Sequence, residues 1–162
     1  MTPGISLLKV PAKNWKGDAL LLLASEGQCE KIAPAPYTRY VKTLEARKDF
    51  EGKKGSLVKL PLFDDNVKNL YLAGLGKAEE YTPDRLRDAL TAALRKIGRE
   101  RNKSVLAISA QKGPDVSVIL GEAAELAGYV FDKYKKKDDE SDENFSLREI
   151  FTQDLEIGRA HV

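Results

Sequence analysis

A pair of glycines, a lone thiol and a row of basic residues carry whatever chemistry this sequence offers. Gly74-Leu75-Gly76-Lys77 follows a short apolar run. Glycines between a strand and a helix let backbone N–H groups approach a phosphate. The spacing fits neither G-x-G-x-x-G nor G-x-x-x-x-G-K-[ST], and the helix signal starts only at Thr82, so a structural turn is the plainer reading. Cys29 is the one cysteine, and the one histidine, His161, lies far along the chain. A nucleophile needs a base beside it, so Cys29 reads as an incidental thiol. Arg85, Arg87, Arg95, Lys96, Arg99 and Arg101 form a basic row with no aromatic residues interleaved to stack bases. They fall mostly off the apolar face of their helix and read as its solvated side.

Metal ligation finds little support. There is no Cys/His cluster, and neighbouring carboxylates such as Asp64-Asp65 and Asp138-Asp139-Glu140 splay apart instead of converging. They read as a turn and a linker. Trp15, the only tryptophan, reads as an edge-packing residue before a strand. No nucleophile, base and oxyanion donor assemble. No catalytic, cofactor-binding or metal-ligating residue is therefore assigned to the chain.

The elements around the glycine pair are more legible. Leu70 to Ala73 is a continuous apolar run suited to a strand buried on both faces, and we expect it at the centre of the sheet. Thr82-Pro83-Asp84 is a helix start, with a threonine cap, proline at the first helical position and an acid in the first turn. Leu86, Ala89, Leu90, Ala93, Leu94 and Ile97 then make one helical stripe, in a helix running to about Arg101. Upstream, Ile5 to Val10 and Ala19 to Leu23 read as strands and Gly27 to Pro36 as a loop. Tyr37 to Arg47 reads as a helix with Tyr40, Val41 and Leu44 inward. Leu57 to Leu62 is a third strand, tied to the next by a turn at Asp64, Asp65 and Asn66 so short that the pair forms an antiparallel hairpin. Downstream come a strand at Val105 to Ser109 and a helix opened by Pro114 and Asp115 that runs to about Phe131. Lys133 to Glu143 is a basic block abutting an acidic one, read as a solvated segment. Leu147, Ile150 and Phe151 suit one last strand. Asp154 to Val162 then turns helical without a glycine cap or polar tail, which leads us to expect a chain cut from a longer protein.

The totals describe one soluble domain. There are 162 residues, 42% hydrophobic and 32% charged. A formal charge of +2 is too small to imply a polyanionic partner. A single cysteine forbids an intramolecular disulfide and favours a reducing compartment. The longest apolar run, Ala19 to Ala24, is too short to span a bilayer and no basic leader precedes it, so cytoplasm is the expected location.

Three stretches in order resemble one family. Leu70-Tyr71-Leu72-Ala73-Gly74-Leu75-Gly76-Lys77 with Thr82-Pro83-Asp84-Arg85-Leu86-Arg87 is similar to a signature of the N-terminal domain of the leucine aminopeptidase (cytosol aminopeptidase) family. Gly121 to Lys135 resembles that domain's closing helix and its Y-F-D-Y-K ending, and Asp49 to Gly55 its F-G-K-G turn. Glu156 to Val162 resembles the start of the helix leading to the catalytic domain. The resemblance implies an α/β, macro-domain-like three-layer fold, with a mixed, largely parallel sheet between helices. It divides the chain into a domain at 1–135, a charged linker at 136–146, and at 147–162 the start of a connection to a C-terminal catalytic domain. In the family that catalytic domain removes N-terminal residues from peptides with two divalent metals (zinc, manganese or magnesium), and relatives form hexamers. Its ligand motifs have no counterpart here. The implied role is thus a non-catalytic accessory domain whose partner is its own catalytic domain, with peptides as substrates of the parent only. Two other readings stand beside it: a macro-like module binding ADP-ribose or a nucleotide near Gly74–Gly76, and a DNA-binding accessory domain. Neither nucleic acid nor membrane is expected as a partner.

Overall fold

Leu20, Leu21, Leu22 and Leu23 are all essentially inaccessible to solvent, and their alternation builds the two sides of the molecule. In this computed structural model, which describes residues 2–63, 66–111, 114–134 and 145–153, they lie in β2 (Gly17–Ala24). Successive strand side chains point to opposite faces. Leu21 and Leu23 therefore join one core with Tyr71, Ala73, Val105, Ala107 and Ile150. Leu20 and Leu22 join another with Leu70, Leu72, Leu106 and Ile108.

Among the described residues the sheet has six strands, in the order β1-β6-β5-β2-β4-β3. The others are β1 (Gly4–Leu7), β3 (Leu57–Pro61), β4 (Val67–Gly74), β5 (Ser104–Ser109) and β6 (Glu149–Thr152). All neighbouring pairs are parallel except β3 with β4, the antiparallel hairpin. One face is covered by α3 (Pro83–Arg99) and α4 (Pro114–Tyr134). The short α1 (Cys29–Ile32) and α2 (Thr38–Ala46) supply Cys29, Val41 and Leu44 to the core on the other face. This is the three-layer α/β arrangement with a mixed, mostly parallel sheet.

α3 begins as its residues dictate. Thr82 is the cap, its Oγ1 accepting from the Arg85 N–H at 3.3 Å, with Pro83 in the first turn. Leu86, Leu90, Ala93, Leu94 and Ile97 are buried against the sheet. α2 presents Val41 and Leu44 inward as expected, with Tyr40 half-buried.

Several expectations change. β4 is next to the edge of the sheet, and β2 and β5 hold its middle. A continuous apolar run reports burial on two faces, which one flanking hairpin strand and two helical layers suffice to provide. β1 stops at Leu7, short of Val10. The 27–36 loop contains α1 and a 3-10 turn at Ala35–Tyr37. Residues 145–152 return to the domain: Phe145, Leu147 and Ile150 are buried, and β6 lies between β5 and β1. The folded unit thus reaches past the boundary at 135, because β1 and β5 need a strand between them. Asp64, Asp65, the acidic part of the linker and the helix at 154–162 lie outside the described residues.

Candidate functional site

The glycine pair at the end of β4 is locked by its own backbone. The Gly74 N–H donates to Ser56 O at 2.9 Å, Leu75 N–H to Ala24 O at 3.0 Å, and Gly76 N–H to Gly52 O at 2.9 Å. An anion cradle needs these same donors unspent. Here all three are engaged, so the loop is a structural turn. Its glycines allow close approach: a Cβ on Gly74 would collide with Lys53 O and Ser56 Oγ, and would lie 2.6 Å from the Gly52 carbonyl carbon. Gly52 and Gly76 have φ of +81° and +85°, the left-handed region that favours glycine. The Asp49–Gly55 turn is what clasps the β4 loop, which sequence alone does not reveal.

Beside this clasp, on the α3 face, lies a pocket of about 240 Å³. Leu57, Ala73, Leu75, Ala89 and Ala92 form its apolar walls, and Lys54, Arg85 and Asp88 its charged rim. The Arg85 guanidinium lies against Gly76, where a Cβ would sit 2.5 Å from its Nη1. That Nη1 donates to Leu75 O at 3.3 Å, and Nη2 stands 3.9 Å from Glu80. Two other hollows are less suited to a ligand. In parallel sheets ligands favour the crevice beyond the strand ends where chain connections diverge. The hollow there, lined by Leu23, Ser109 and Thr152, holds only about 40 Å³, room for a water or two. A third, of about 400 Å³, lies between α2 and the end of β3. Its cations are already engaged, Arg39 over the Tyr40 ring at 4.8 Å and Arg47 with Asp49 at 3.3 Å.

A polar network not foreseen from sequence joins the end of α3 to the sheet. Tyr71 donates its O–H to Glu100 Oε1 at 2.7 Å. Asn102 Nδ2 donates to Tyr71 Oη at 3.0 Å and to Ile97 O at 2.9 Å, and Asn69 Nδ2 donates to Asn102 Oδ1 at 3.0 Å. Lys96 and Lys59 stand 3.2 and 3.5 Å from the Glu100 carboxylate. Burial pushes Glu100 upward, but the Tyr71 hydrogen bond and the two ammonium groups outweigh it and leave the carboxyl below its ordinary value. Burial first, and then the Glu100 carboxylate, raise the Tyr71 phenol. The network satisfies buried polar groups and lines none of the three hollows above, so we read it as structural.

Cys29 is buried, and burial aided by the Glu45 carboxylate pushes its thiol up to about 12. It stays a neutral thiol, unsuited to nucleophilic attack at neutral pH. His161 lies outside the described residues. Trp15 is buried, its ring centroid 5.9 Å from that of Phe151. The basic row is partly spent within the protein: Arg87 pairs with Asp84 and Glu122, and Lys96 with Glu100. Among the described residues no three His, Cys, Asp or Glu side chains converge as metal ligands. The described residues therefore do not supply the donor set of a two-metal centre.

The fold is that of a macro-domain-like class. It aligns with the macrodomain of Mycobacterium tuberculosis DarG at a TM-score of 0.58 and 13% identity, covering 93% of this chain and 97% of that one. It aligns with a tomato leucine aminopeptidase mutant at a TM-score of 0.68 and 17% identity, covering 98% of this chain and 35% of that one. Residues 18–138 match the model of the cytosol aminopeptidase family, N-terminal domain. The chain belongs to that family. A probable cytosol aminopeptidase of Aquifex aeolicus is 27% identical over 151 residues, 90% of this chain and 30% of the relative. One from Clostridium perfringens is 30% identical over 129 residues, 76% of this chain and 26% of the relative. The chain thus spans under a third of the length of these two relatives.

Proposed function

We propose that this chain is the non-catalytic N-terminal domain of a metal-dependent leucyl aminopeptidase. Its role is to support the catalytic domain of the same polypeptide, and the parent acts on peptides as a homohexamer. The observation that carries the reading is the family match over residues 18–138 in a chain that spans 30% of its Aquifex aeolicus relative. The zinc, manganese or magnesium pair belongs, on this reading, to the remainder of the parent, where it would activate water and polarise the peptide carbonyl. No step runs through the residues described here. Cytoplasm is the proposed location, in keeping with the relatives' description as cytosol aminopeptidases. No helix among the described residues is long and apolar enough to cross a membrane.

The test has two arms. The coding frame is read beyond the codon for Val162, where continuation into a domain with clustered lysine, aspartate and glutamate ligands is expected. The purified chain is then assayed on a leucyl chromogenic amide with added manganese. No turnover is expected. Turnover by the chain alone, or a stop codon directly after Val162, overturns the proposal.

A further inference from the structure

The pocket beside the β4 clasp has the size and polarity of a particular kind of ligand. At about 240 Å³ it falls below the roughly 300–1,000 Å³ of sites for drug-sized molecules, a size that suits a small metabolite. Arg85, Asp88, Ala89 and Ala92 follow at i, i+3, i+4 and i+7, one stripe of α3. The first two place opposite charges about 5–6 Å apart at their Cβ atoms. The side chains of Asp88 and, across the pocket, Lys54 have neither an ion pair nor a hydrogen bond among the described residues. The two alanines leave a slot against Leu57 that larger side chains would fill.

We propose that this pocket binds a free hydrophobic α-amino acid, with leucine as the type. Its carboxylate meets Arg85 and Lys54, its ammonium meets Asp88, and its side chain enters the slot between Leu57, Ala89 and Ala92. An α-amino acid carries its two charged groups on one carbon, as the adjacent Arg85 and Asp88 require. A simple carboxylate leaves Asp88 unanswered, and an amine leaves Lys54 unanswered, Arg85 being already within reach of Glu80. The proposal rests on the aminopeptidase reading for its sense, since such an amino acid is the product class a leucyl aminopeptidase releases. The site would let the accessory domain register that product.

The experiment is a heteronuclear NMR titration of the 162-residue chain with L-leucine. Saturable shifts are expected at the amides of Gly55, Leu57, Asp88 and Ala92, with a Kd of about 1 mM. Asp88→Asn should weaken leucine about tenfold. 4-Methylpentanoate, which lacks the ammonium, should bind the unaltered chain about tenfold more weakly than leucine does. Ala92→Leu, at an exposed position, should fill the slot and abolish binding while preserving the spectrum elsewhere. The proposal is overturned if about 20 mM leucine moves none of these amides. Equal affinity for 4-methylpentanoate, or undiminished binding by Ala92→Leu, also overturns it. Binding is read here without catalysis. A silent titration therefore leaves the aminopeptidase reading intact, and a stop codon after Val162 defeats that reading while leaving a positive titration standing.

Discussion

Single residues carry two sharp tests. Gly74 sits where any side chain meets the backbone of the 52–56 turn, on an atom that cannot swing aside. Gly74→Ala should therefore cost about 3 kcal/mol, read as a lower urea midpoint at unchanged slope; a loss under about 0.5 kcal/mol would show that the clasp yields. Glu100 supplies a pH dependence of known sign. Its carboxyl lies below the ordinary value of 4.5, so its contribution is present above that pH and fades as pH falls through the lower, folded-state value. Glu100→Gln should destabilise the domain at pH 7 and progressively less on acidification below about 4.5, where the native carboxylate also becomes protonated. Urea titrations of both proteins across that range check it, and a constant difference would place the effect in packing instead of charge. The glycine pair was legible as a special turn from its residue types. The identity of its clasp was not, because Gly52 and Ser56 approach from another turn of the chain.

Among the elements, helix starts were easier to read than helix stops. Thr82-Pro83-Asp84 declares a start through local chemistry, and the structure places the cap there. Neither α2 nor α3 closes on a glycine; both close through a left-handed non-glycine residue, Lys48 at φ 61° and Arg101 at φ 68°. The backbone bonds Asp49 N–H to Leu44 O and Asn102 N–H to Ile97 O complete the two closures. Lys48→Gly should relieve the Cβ strain and raise stability by about 0.5 kcal/mol, measured as an upward shift in Tm; a fall would mean that the lysine side chain contributes more than its backbone costs. The stripe from Leu86 to Ile97 was fully readable because it repeats on a helical period. The same stripe gave no hint that Ala89 also lines a pocket, since the facing wall, Lys54 to Leu57, comes from β3 and the turn before it.

At the scale of the molecule, β6 carries the sheet past residue 135. It lies between β5 and β1, and among the described residues β1 has no other neighbour in the sheet. A fragment ending at residue 135 would lose the buried Phe145, Leu147 and Ile150, together roughly 5–9 kcal/mol of apolar burial. That matches the whole stability of an ordinary domain, about 5–15 kcal/mol. Such a fragment should show no cooperative unfolding transition by circular dichroism, and a sharp one would move the boundary back to 135. By itself the sequence determined the α/β class, the hairpin, the amphipathic faces and the family, because these rest on short-range periodicity, turn chemistry and motifs read within a few residues. Only the tertiary structure decided the order of the strands, the return of β6, the Tyr71–Glu100–Asn102 network and the pocket beneath Arg85. Each of these joins residues far apart in the chain (Tyr71 to Glu100 spans 29), and no local pattern records which distant backbone will arrive beside them.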